Sequence, residues 1–134
     1  MLHRIGQALT LLSVAVTVFS ILYFAAAALG REEIADYIRN HFVREIVFGL
    51  TLCAATAWLA LRRPAGGGIG LLALLGGLLV APFWIGVAAG IGNREIAAIW
   101  GDLAGPSDSF ALHTVQAALM LLGVALMAAG RRRY

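Results

Sequence analysis

The residues of this chain whose chemistry reaches furthest are His41 and His113, each placed near the same end of an even-numbered apolar segment. Two imidazoles facing one another across a helical bundle could hold the iron of one haem b, with Arg39, Arg44 or Arg94 on the propionates. The plainer reading is that a His beside Glu45 or Asp108 is solvated or hydrogen-bonded, and the expectation is a chain without a cofactor or metal. Other metals fit less well, because no third or fourth ligand stands at helical spacing from either His.

A second pattern lies in the first apolar segment, where Gly6, Thr10, Ser13, Thr17 and Ser20 recur at spacings of four, three, four and three. That period puts them on one face of a helix, with Gln7 beside them and Tyr23 continuing the line. Small and hydroxyl residues let helices approach and hydrogen-bond across the gap, so the expected role is helix packing. The sharper alternative is the lining of a polar path for a small solute. The third segment offers a glycine-rich surface, Gly66 with Gly70, Ala73 with Gly77 and Gly86 with Gly90, all four residues apart, and Pro82 near its middle. A close-packing face with a kink or a freed carbonyl at Pro82 is expected there.

Several chemistries have no support. The Gly66-Gly67-Gly68 run lacks the Lys and Ser or Thr of a phosphate loop. No nucleophile elbow, His-Glu metal box or paired buried carboxylate is present, so the chain is read as a non-enzyme. None of its apolar segments carries a charge near the centre, which disfavours an ion-coupled pump.

The elements that must position these residues follow from composition. The 134 residues are 61% hydrophobic and 13% charged, against about 25% charged in soluble domains. Uncharged runs over 5–30, 64–93 and 109–130 are each long enough to cross a bilayer core of about 30 Å. The fold class expected is an all-α integral membrane protein, one domain with four transmembrane helices at about 5–29, 42–61, 69–91 and 110–129. The second is short, and Arg44 and Glu45 must sit at its interface. The run after Arg4 ends in Ala25-Ala26-Ala27 like a cleavable signal, but it exceeds a signal core of about 7 to 15 residues, so an uncleaved first helix is expected. The lone Cys53 can form no intrachain disulfide and is read as packing.

Orientation follows from charge. Arg4, Arg62, Arg63, Arg131, Arg132 and Arg133 fall on one side of this four-span arrangement without an acid. Arg31, Arg39, Arg44 and Arg94 fall on the other with every acidic residue: Glu32, Glu33, Asp36, Glu45, Glu95, Asp102 and Asp108. Arg-rich short loops stay in the cytoplasm, so both termini are expected there. The Arg residues are dispersed over ends and turns, which excludes a nucleic-acid interface.

Both outer loops read as amphipathic helices. In 31–45 the apolar Ile34, Ile38 and Phe42 recur every four, and 94–103 carries Ile96, Ile99, Trp100 and Leu103. Pro106 is expected in a turn, with Ser107, Asp108 and Ser109 capping the fourth helix. Residues 29–38 and 91–100 agree at four of ten positions (Gly30 with Gly92, Glu33 with Glu95, Ile34 with Ile96, Ala35 with Ala97), which would make 1–63 and 64–134 parallel repeats of one hairpin.

The leading functional expectation is a non-catalytic membrane protein acting through helix contacts, an accessory or assembly subunit or a homo-oligomer, with the lipid bilayer and other membrane helices as partners. The alternatives are an oligomeric channel or facilitator and a haem- or quinone-handling redox subunit. The lack of Lys and the wealth of Ala, Gly and Arg fit a GC-rich genome and a bacterial inner membrane.

Overall fold

The computed structural model describes residues 1–30, 36–62, 64, 67–88 and 106–130. Nearly all of these belong to four helices, α1 (Leu2–Leu29), α2 (Asp36–Leu61), α3 (Gly67–Ala88) and α4 (Pro106–Ala129), and the described residues contain no strand. Each helix holds a segment long and apolar enough to cross a membrane: Leu2–Tyr23, Arg39–Leu61, Gly67–Ala88 and Phe110–Ala129. The shortest, of 20 residues, still reaches about 30 Å at 1.5 Å per residue.

The helices end where backbone chemistry stops them. Gly30 forms the turn after α1, and α2 finishes with the Arg62 amide bonded to the Trp58 carbonyl, two residues before Pro64. Pro106 is the first residue of α4, where a missing N–H costs nothing, so the helix begins earlier than a turn at Pro106 with a cap at 107–109 would have it. From Asp36 onward the first amphipathic stretch is the opening of α2 and not a separate helix. The second amphipathic stretch (94–103) and the repeat segment 91–100 lie outside the described residues, as do Gly66, Gly90 and Arg94.

Each helix packs on its sequence neighbours, and α4 closes the ring against α1 in the most extensive interface of the bundle. The α1–α4 pair is antiparallel: His3 lies beside Met127 and Gly130, and Thr17 beside Gln116. Gln7 Nε2 donates to the Ala60 carbonyl at 3.0 Å, which brings the end of α2 to the start of α1. Residues 2–3 and 127–130 therefore share one end of the bundle with the end of α2, and Glu45 and His113 belong to the other half.

Two matching stripes explain the α1–α4 interface. Gly6, Thr10, Ser13, Thr17 and Ser20 are all buried on α1, and Gln116, Met120, Gly123 and Met127 are all buried on α4, both sets at alternating four- and three-residue steps. This is the spacing of a left-handed seam between helices crossing at about 20°. The backbones come closest at Gly6 and Gly123. A Cβ on Gly6 would meet the Gly123 carbonyl oxygen and stand 2.7 Å from the Met127 amide, and one on Gly123 would stand 2.8 Å from the Thr10 amide. Around this seam the apolar core forms two clusters, Val14, Cys53 and Met120 in one, Ala60, Leu72 and Met127 in the other.

The packing face of α3 differs from the one its glycine spacing selects. Leu72 and Gly76 are the buried positions, and a Cβ on Gly76 would meet Met120 Sδ at 2.6 Å. Ala73 and Gly77 are exposed, and a Cβ on Gly70, Gly77 or Gly86 would meet nothing within 4 Å. One residue is a turn of about 100° on a helix, so the row through Leu72 and Gly76 faces the bundle while the row through Ala73 and Gly77 faces out. Pro82 does not interrupt α3, which runs on to Ala88.

Large apolar side chains cover the outside, with Phe19, Phe48, Ile85 and Leu121 all more than 60% exposed, while Thr10, Ser13, Thr56 and Gln116 are at most 3% exposed. So apolar an exterior, beside a core that mixes apolar side chains with hydroxyl and amide groups, departs from the pattern of a water-soluble bundle.

Candidate functional site: a cavity between the four helices

The polar side chains inside the bundle form one directed hydrogen-bond chain. The Thr17 hydroxyl donates to the Ser13 carbonyl at 2.9 Å, and a carbonyl can only accept, so that bond takes the only hydrogen Thr17 has. Thr17 Oγ1 must then accept from Gln116 Nε2, which lies 2.6 Å away. The Gln116 amide is thereby oriented with Oε1 toward His113, whose Nδ1 is at 3.0 Å and must be the protonated nitrogen. In the neutral ring this leaves Nε2 as an acceptor, and it meets no hydrogen-bond partner among the described residues. Ser13 adds a second tie by donating to the Gln116 carbonyl at 2.8 Å.

Above this chain the helices separate around a cavity of about 230 Å³. Thr17 and Ser20 of α1, Glu45 and Phe48 of α2, Pro82 and Phe83 of α3, and His113 and Gln116 of α4 contribute to its wall. The sequence supplies the space through Gly49, where a Cβ would already meet Ile21 Cδ1 at 2.8 Å, and through Pro82, which cannot fill the hydrogen bond of the Leu78 carbonyl one turn below. His113 is held against Phe83 with ring centroids 3.8 Å apart and planes 21° from parallel. Phe83, Trp84 and Phe110 close this side as an aromatic cluster, with Trp84 and Phe110 5.1 Å apart, edge to face.

No family model, curated protein or solved structure matches this chain.

The two histidines differ in setting. His113 lines the cavity, whereas His41 is a surface residue, its side chain 66% exposed and its Nε2 4.0 Å from Glu45 Oε1. Phe83 covers one face of the His113 ring, and the described residues contain no group of three or more His, Cys, Asp or Glu placed to hold a metal. Of the hydroxyl stripe, only Thr17 and Ser20 reach the cavity. Thr10 donates to the Gly6 carbonyl at 2.9 Å, and Ser13 is committed to α4.

Three participants escape a reading by pattern. Gln116 and Gly123 stand alone in the apolar run of α4, and only the match of their spacing with Met120 and Met127 to the α1 stripe marks them. Glu45 reads as an interfacial charge, yet it also borders the cavity through the outer half of α2.

Proposed function

We propose that this chain is a non-catalytic integral membrane protein that works through helix contacts, as an accessory or assembly subunit of a membrane complex or as a homo-oligomer. The observation that carries the reading is the outward row on α3, where Gly70 and Gly77 present bare backbone with open space around it and Ala73 between them is exposed. In lipid, where apolar side chains gain little from leaving the solvent, close backbone approach at small residues is a main source of helix association. Inside the bundle that resource is used at Gly6 with Gly123 and at Gly76. On α3 it is offered to a helix from outside the chain.

Insertion in a membrane is supported by four apolar helices with large apolar side chains on their exterior. Cytoplasmic termini are supported by the sequence, in which six Arg and no acid fall on the side of the termini and four Arg with all seven acids fall on the other. A bacterial inner membrane accords with the Arg-rich, Lys-free composition. The facilitator reading draws less support from the Thr10, Ser13, Thr17 and Ser20 stripe, because it is turned into α4. The redox reading draws less from His41 and His113, which lie in separate surroundings.

The test is cross-linking in native membranes from a Cys53→Ala background carrying Gly77→Cys. Capture of a second polypeptide or a second copy through residue 77 is expected. Free alkylation of that thiol by a lipid-soluble maleimide, with no cross-linked product, would contradict the proposal.

A further inference from the structure

The wall of the cavity carries one charge among mixed hydrogen-bonding groups. The chain from Ser13 through Thr17 and Gln116 leaves His113 Nε2 as an acceptor. Glu45 adds a carboxylate, an acceptor with negative charge, and Pro82 deprives the Leu78 carbonyl of its ordinary helical donor. Ser20 adds a hydroxyl and Gln116 keeps a second amide hydrogen, and the remainder of the wall is apolar or aromatic, including Ile21, Leu52, Leu79, Phe48 and Phe83. Among the described residues lining it, Glu45 is the only charged one.

We propose that this cavity binds a small lipophilic ammonium ion, its N–H groups directed to Glu45 and His113 Nε2 and its apolar body lodged against Phe48, Phe83 and Pro82. The positive charge answers the carboxylate, and the aromatic faces add cation–π attraction that strengthens as water is excluded. Carboxylates are selected against by the charge of Glu45, and neutral compounds of the same shape forgo the attraction to it. At about 230 Å³ the cavity is smaller than the range of roughly 300–1,000 Å³ that holds drug-sized ligands, which limits the occupant to a single ring or a short branched chain. The site is independent of whatever helix covers the outer face of α3.

Benzylammonium is a suitable probe, with benzyl alcohol and toluene as neutral analogues of the same shape and benzoate as the anion. Calorimetric titration of the full chain in zwitterionic-lipid nanodiscs, with empty nanodiscs subtracted, should give saturable one-site binding of benzylammonium. Benzyl alcohol should bind at least about tenfold more weakly, the equivalent of about 1.4 kcal/mol, and toluene and benzoate more weakly still. Glu45→Gln retains the shape of a side chain that is 63% exposed and should cost about tenfold or more in benzylammonium affinity. His113→Phe keeps the stack on Phe83 while deleting the acceptor, and should act in the same direction. Equal binding of toluene and benzylammonium, unchanged affinity in Glu45→Gln, or no saturable binding would each overturn the proposal. The comparison of the four probes on the unmodified protein decides the matter even where a variant fails to fold.

Discussion

Gln116 Nε2 on α4 donates to Thr17 Oγ1 on α1 at 2.6 Å, across a separation of 99 residues. This bond joins the first helix to the last and closes the bundle. It also orients the Gln116 amide and, through it, the imidazole of His113. A single contact thus serves assembly of the fold and the polarity of the cavity wall.

A double-mutant cycle on that pair should measure a real but modest coupling. Thr17→Val and Gln116→Leu, alone and together, are expected to show an interaction of about 0.6 to 1.7 kcal/mol by steric-trap unfolding in bicelles. Thr17→Leu should lower stability through crowding against α4 and leave solute flux in proteoliposomes unchanged. Flux in the unmodified protein that this change blocks while the fold survives would restore the pore reading of the stripe.

Glycine substitution should separate the two faces. Gly6→Ala drives a methyl into the backbone of Gly123 and Met127, which cannot yield as a flexible side chain would, and about 1–3 kcal/mol of destabilisation is expected. Gly77→Ala enters open space and should leave the stability of the single chain within about 0.5 kcal/mol. Equal losses in the same unfolding assay would mean that the inner seam is not where the close approach lies.

The legible part of this fold was the part written in periodicity and length. Each of the four expected spans overlaps a helix long and apolar enough to cross a membrane, and the α1 stripe was visible because hydroxyls stand out from Leu, Val and Ala. The packing face of α3 was not legible, because Gly and Ala occur all around that helix and composition cannot choose between Gly76 and Gly77. The choice is made by Met120, whose side chain fills the notch at Gly76 from another helix. The cavity was hidden for a similar reason: Glu45, Pro82 and His113 are far apart in sequence, and each has an adequate local explanation until the ring of helices brings them together.

Orientation can be checked by labelling from either side of sealed vesicles. In a Cys53→Ala background, Leu2→Cys and Ala129→Cys should react with an impermeant maleimide only from the cytoplasmic side, and Arg44→Cys only from the opposite side. Residues 2 and 129 reacting from different sides would be incompatible with the antiparallel packing of His3 on Met127.

The purified protein should be colourless. A reduced-minus-oxidised spectrum is expected to show no Soret shift, because His41 and His113 have separate surroundings and Phe83 lies on the His113 ring. A Soret band lost on mutation of either His would return a haem-handling role to first place.

The central claim, that the chain acts through contacts made by its outer α3 face, is tested most directly by native mass spectrometry of the protein extracted in mild detergent from its own host membranes. The account predicts a defined assembly, with other polypeptides or with further copies of the chain, that dissociates in the Gly77→Leu variant while the four-helix fold persists. A monomer in the unmodified protein, or an assembly indifferent to Gly77→Leu, would contradict it.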